Sequence, residues 1–318
     1  MPEVRGAESV LVFFSTHHML RAEQALLSAG IDIELVPAPK GAGELCTTAI
    51  RFYTDFERQV QELLAERRIE VKELLPYRRP RSSRRALALG EIARMLDSSG
   101  PDAQAVIAEA EEVTGRAFGS RVSLMACVEL DGGGMEEARG FGIPLLLIPL
   151  SGEETPDAEL LRPMLRDSGF IATAVAPALN PVLVENLRSC GVHYFLTANS
   201  DLLGLSAARL AEELVFLRDN RPGLVGTGSL IPLVKPDAGS FQPAVDKIVL
   251  LAAVARLVIP DAFVPAPPWL WASSVPGCCN LVVVNAAAGD LKSSLLRLKD
   301  RLKEQGRRLP PAVEARCS

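Results

Sequence analysis

Cys46 is the residue whose surroundings point most directly to chemistry. It follows a Pro/Gly loop, Pro37 to Gly43, and stands just before a short apolar run, Ala49 to Phe52. Upstream, Thr16, His17 and His18 come directly after another apolar run, Leu11 to Phe14. They therefore occupy the carboxyl end of a strand, the end at which α/β sheets place their ligands. If the thiol faces them, an imidazolium and the positive end of a helix would lower its pKa and hold it as the nucleophilic thiolate. The alternative is a small buried core residue, the usual setting of an isolated cysteine.

The elements needed to position these groups are legible in the periodicity. After Ser15-Thr16, an N-cap signal, apolar residues recur at Met19, Leu20, Ala22, Ala25, Leu26 and Leu27, which is helical spacing. Ala29-Gly30 stops that helix, and Ile31 to Val36 and Ala49 to Phe52 read as strands. Tyr53 to Arg68 returns to helical spacing through Phe56, Val60, Leu63 and Leu64, and Ile69 to Leu75 reads as a strand. Strand, helix, strand, strand, helix, strand is the order of a ferredoxin-like split βαβ domain. The Arg-rich run 78–85 then breaks every periodicity and reads as a solvated linker.

The pattern of apolar residues leading into F-x-S-T-H-H, then A-E on the helix, G-I before the second strand, P-x-P after it and C-x-x-A-I-R-F resembles the Se/S carrier-like domain family. The resemblance spans roughly residues 8 to 77. It implies a thiol that carries sulfur or selenium as a persulfide or perselenide, and Cys46 inherits that position. A sulfur or selenium donor or acceptor protein is the partner implied. One departure is Thr47, where the family usually has Gly, a residue free to take positive φ.

Beyond the linker, helices are expected at Leu87 to Asp97 and Asp102 to Phe118. Apolar strands are then expected at Val122 to Leu130, Ile143 to Leu150, Phe170 to Ala176, Val192 to Ala198, Leu224 to Leu233, Phe263 to Pro265 and Leu281 to Asn285. Helices at Asp157 to Ser168, Pro181 to Cys190, Ser206 to Asp219, Pro243 to Val258 and Leu291 to Gln305 separate them. Continuously apolar strands alternating with helices argue for a parallel sheet covered on the outside. The fold class expected is α/β: a ferredoxin-like domain over 1–77, the linker 78–85, and a contracted or incomplete β/α (TIM-like) barrel over 86–318. A doubly wound sheet is the second architecture.

This second part also carries a resemblance. Leu89-Gly90-Glu91-Ile92, Leu150-Ser151-Gly152-Glu153, Gly226-Thr227-Gly228-Ser229-Leu230-Ile231-Pro232 and Ile259-Pro260-Asp261-Ala262 resemble, in order, segments of the biotin-synthase-like radical SAM proteins, in particular the FeFe-hydrogenase maturase branch. The resemblance implies a small-molecule site in which Ser151, Gly152 and Glu153 meet the amino end of SAM and Gly226 and Gly228 admit a ligand to the backbone. Tight βα turns in any barrel need such glycines as well. The class also uses a CxxxCxxC loop for a 4Fe-4S cluster, and Leu130 to Gly134 stands where that loop belongs, without a cysteine. SAM is therefore a candidate ligand, whereas no cluster is expected on this chain. Alternative readings are a divergent SAM-binding enzyme and a non-catalytic assembly factor.

Several residues remain open to both structural and functional readings. Glu129 within an apolar strand is either satisfied by a barrel-interior partner or marks a pocket. His193 reads as a core histidine, and Trp269 and Trp271 as a cover for the barrel end or a stacking surface. Cys278-Cys279 precede the last strand, at the end opposite the usual barrel site.

Composition closes off other classes. The 318 residues suffice for two cores, and 48% hydrophobic content excludes a largely disordered chain. A formal charge of −5 argues against a general nucleic-acid binder. The polar start, Met1 to Ser9, and the absence of a run long enough to span a bilayer make the cytoplasm the expected compartment, with no membrane partner. The six cysteines show no CxxC and no zinc spacing, so no bound metal is expected.

Overall fold

The computed structural model describes residues 7–39, 48–77, 87–129, 134–150, 165, 170–176, 181–190, 192, 194–197, 205–220, 241–271, 274–286 and 290–317. Cys46, Ser151, Gly152, Glu153, His193, Gly226 and Gly228 lie outside the described residues, as do the linker 78–85 and the strand expected over 224–233.

The first unit follows the order expected of it. Strand β1 (Glu8–Val12) leads into helix α1 (Thr16–Ser28), then β2 (Ile33–Pro37), β3 (Thr48–Tyr53), a 3-10 turn at Thr54–Phe56, α2 (Glu57–Glu66) and β4 (Glu73–Pro76). The sheet order is β2-β3-β1-β4, with every neighbouring pair antiparallel. This is the split βαβ arrangement. Ser15 caps α1 in an extended conformation, its side chain accepting the His18 backbone N–H at 3.3 Å. At the other end Gly30 takes φ +71°, which lets Ile31 N–H reach the Leu26 carbonyl at 3.0 Å. The fourth strand starts later than the pattern predicts. Ile69 is buried, yet it packs into the core from the turn after α2 rather than from a strand.

After α3 (Leu89–Leu96) and α4 (Gly100–Phe118), strand-helix units alternate. These are β5 (Ser123–Cys127), α5 (Met135–Phe141), β6 (Leu145–Pro149), β7 (Ile171–Ala176), α6 (Pro181–Ser189), β8 (Tyr194–Thr197), α7 (Ala207–Asn220) and α8 (Phe241–Val258). The chain continues through β9 (Pro265–Ala266), the short α9 (Pro268–Trp271), β10 (Leu281–Asn285), α10 (Leu291–Glu304) and α11 (Pro311–Arg316). The six described strands are all parallel, in the order β8-β7-β6-β5-β10-β9.

That order separates the two architectures left open by the sequence. The last strand lies beside the first, and every step between sequential neighbours, β5 to β8 and again β9 to β10, runs in the same direction. Right-handed crossovers then keep the helices on one face, as in a β/α barrel. A doubly wound sheet reverses direction once and puts helices on both faces.

The boundaries of β5 and β9 also differ from expectation. Strand β5 stops at Cys127, three residues short of the predicted end. Strand β9 comprises only Pro265 and Ala266, because Pro267 and Pro268 have no N–H to extend the ladder. Trp271 supplies the missing donor: its indole N–H reaches the Val283 carbonyl at 2.8 Å, one residue beyond the last β9–β10 pair. Trp271 is thus a buried edge cover on a helical turn, not part of an alternating stacking surface.

Candidate functional site

In the β1–β3 register Leu11 faces Ile50, and continuing it by two residues sets Phe13 opposite Thr48. Thr48 is therefore at the end of the sheet where α1 begins. Cys46 is two residues from Thr48, and two residues of chain span at most about 7 Å. Cys46 itself lies outside the described residues.

At that end Thr16 is half-buried and His17 exposed. His18 is half-buried, and its Nδ1 is buried with no hydrogen-bond partner. The two imidazole rings have centroids 6.1 Å apart and planes inclined at 51°. No acidic residue occupies the first turn of α1, so its positive end is not offset by a carboxylate from its own helix. The structure thus brings Thr16, His17, His18 and the start of β3 to one sheet end.

The strand ends of the barrel are less complete. Leu150, at the carboxyl end of β6, is buried, and Ser151, Gly152 and Glu153 follow outside the described residues. Of the two readings of Glu129, the barrel-interior partner is not required: the residue lies two positions past β5 and is exposed. Water solvates its charge, so burial places no demand for a partner on it. Cys127, at the carboxyl end of β5, is half-buried, and burial with the Glu129 charge pushes its thiol up to about 11. It is a protonated thiol at neutral pH and a poor nucleophile. Cys278 and Cys279 are fully buried before β10; the Cys279 side chain and burial hold the Cys278 thiol well above its ordinary value.

A cleft of about 530 Å³ lies between Trp271, Asn285 and the outer face of α10, where Arg297, Asp300, Arg301 and Glu304 line it. Its two arginines and two acids balance, so it selects neither sign of charge. Among the described residues no group of three or more His, Cys, Asp or Glu side chains is placed to hold a metal ion. No helix among them is long and apolar enough to cross a membrane.

Sequence reasoning passed over Arg51, although it belongs to the same C-x-x-A-I-R-F run as Cys46. Its side chain is 5% exposed. It donates to Asp261 at 3.0 Å, pairs with Glu34, stands 3.9 Å from Glu8 and lies over the Tyr77 ring at 5.2 Å. Burial works against its charge, but Glu34 and then Asp261 more than offset it, and its pKa is raised. The available signal was a guanidinium in a strand whose neighbours are apolar, since such a charge is buried only with partners.

Residues 8–76 match the family model described as "Putative Se/S carrier protein-like". None of the curated proteins matches the chain. Among solved structures, the FeFe-hydrogenase maturase HydG from Carboxydothermus hydrogenoformans is similar at a TM-score of 0.49 and 14% identity, covering 73% of this chain and 78% of that one. Methylornithine synthase (PylB) is similar at a TM-score of 0.45 and 13% identity, over 73% of this chain and 96% of that one. These structural likenesses are too distant to bear on chemistry. What the chain contains, then, is a Se/S carrier-like segment at residues 8–76, followed by a parallel sheet in the strand order of a β/α barrel.

Proposed function

We propose that this protein handles sulfur or selenium by carrying a chalcogen atom on Cys46, with the barrel as the scaffold on which the carrier-like domain is mounted. The observation that carries this reading is the family match over residues 8–76, which include Cys46; Thr48, two positions after it in sequence, starts β3 at the sheet end bearing His17 and the α1 N-terminus. His17 takes the thiol proton, and the helix end favours the resulting thiolate. The thiolate attacks the outer sulfur of a donor persulfide. One S–S bond breaks in the donor as another forms on Cys46, and the donor leaves as a thiolate, so the transfer consumes no oxidant. Passing the atom on is the same exchange in reverse, and selenium follows the same electron count.

Alkylation of Cys46 as a function of pH, with mass detection of bound sulfur or selenium after exposure to a persulfide donor, tests this. The expected onset lies below the free-thiol value of about 8.5, moves up in His17→Ala, and the adduct disappears in Cys46→Ser. A Cys46 that resists alkylation and gains no mass sinks the carrier reading. Background from the barrel is low, because Cys127 is held protonated and Cys278 and Cys279 are buried. The second reading is a separate SAM site formed by Ser151, Gly152, Glu153, Gly226 and Gly228. Titration with SAM checks that site independently of Cys46.

A further inference from the structure

The parallel sheet buries its two faces in different company. Leu124, Ala126, Leu146, Ile148, Val282 and Val284 join the core beneath the barrel helices. The alternating residues Met125, Leu145, Leu147, Leu281 and Val283, with Phe263, belong instead to one continuous cluster with Leu11, Phe13, Met19, Leu26, Ile50 and Phe52 of the ferredoxin-like domain. All six barrel side chains of that cluster are at most 2% exposed. This second face is the one the helices leave uncovered, the interior face of a β/α barrel, which such folds fill with their own side chains or with a ligand. A polar contact accompanies the apolar one: Arg51 of β3 meets Asp261, from the loop before β9, at 3.0 Å, with side chains 5% and 12% exposed.

We propose that the ferredoxin-like domain is the built-in occupant of the barrel's inner face, latched by Arg51 and Asp261, and that the two sheets open as one unit. Parting the two domains uncovers part of this shared cluster and separates a buried ion pair at once, so neither gains by opening without the other. While the latch is shut, a small molecule reaches Met125 or Val283 only by displacing the protein's own domain. The carrier-like segment is thus a structural part of the barrel rather than a module swinging on a tether. Nothing in this depends on the reactivity of Cys46.

Native-state hydrogen exchange, read by mass spectrometry on segments 48–53, 123–127, 145–149 and 281–285, tests the coupling. A Cys46→Ser background lets Cys127 labelling serve as a second reporter of the inner face and keeps this test apart from that of the carrier reading. The expected result is a shared opening equilibrium for all four segments. Asp261→Asn, which removes one charge-assisted bond to Arg51, should raise exchange of all four, and labelling of Cys127, by about tenfold or more. The proposal is overturned if Asp261→Asn accelerates 48–53 alone, or if 48–53 opens far more often than the barrel strands in the unsubstituted latch. The second comparison decides the matter even where the variant does not fold.

Discussion

Two buried arginines, one at the domain junction and one in the barrel floor, show how little burial by itself says about a charge. Arg51 has carboxylates around it, and its pKa rises despite the desolvation. Arg256 is fully buried with neutral partners: it donates to the carbonyls of Cys278, Pro260 and Ala262 and to Asn280 Oδ1, over a distance range of 2.6 to 3.3 Å, and lies 4.8 Å from the Phe118 ring centroid. Burial pulls its pKa down to about 10, and the Asp261 charge offsets only part of that. The same ion is thus held favourably in one place and at a cost in the other. The two are also joined in series. Arg256 grips the carbonyls on either side of Asp261, and Asp261 is the residue that reaches Arg51.

The largest effect expected from this contrast is the loss of Arg51. Arg51→Met leaves Glu34 and Asp261 partly buried without their cation and should cost about 3–5 kcal/mol. Arg256→Met gives up four hydrogen bonds but also removes a desolvated charge, and should cost less, about 2–3 kcal/mol. Urea unfolding of the two variants compares them directly, and a larger loss for Arg256→Met would break the contrast.

A double variant sharpens it. If Arg256 serves Arg51 by shaping the 260–262 loop, the two losses should fall short of adding, with an interaction of about 0.5–3 kcal/mol. Strict additivity would make the two arginines independent.

The smallest effect concerns Cys127, a half-buried titratable group with no opposite charge beside it. Its folded pKa is raised from 9.0 to about 11, so the stability it contributes is fully present below pH 9 and is lost as pH rises through 11. The folding midpoint should decline across that window in the native chain and decline less in Cys127→Ala.

Much of the ferredoxin-like domain could be read from local pattern. The Ser15 cap, the apolar spacing of α1, the stop at Gly30 and the motif ending at Phe52 each depend on residues a few positions apart. The strand-helix alternation of the second part is of the same kind, and strand β10 lies where its apolar run places it. The open readings have a common origin in contacts that pattern does not encode. Glu129 looked buried because apolar residues precede it, yet the strand ends before reaching it. Trp269 and Trp271 left two readings open, cover or stacking surface, because a four-residue helix is too short to show its period.

Sequence alone thus determined which elements form and which thiol, Cys46, belongs to a carrier-like motif, because backbone propensity and side-chain periodicity act over one or two turns. Tertiary structure decided the partners: Arg51 finds Asp261 across 210 positions, and the inner face of the barrel finds the ferredoxin-like core. A charge or an apolar face encodes only the need for a partner, and which partner meets it is set by the packing of the whole chain.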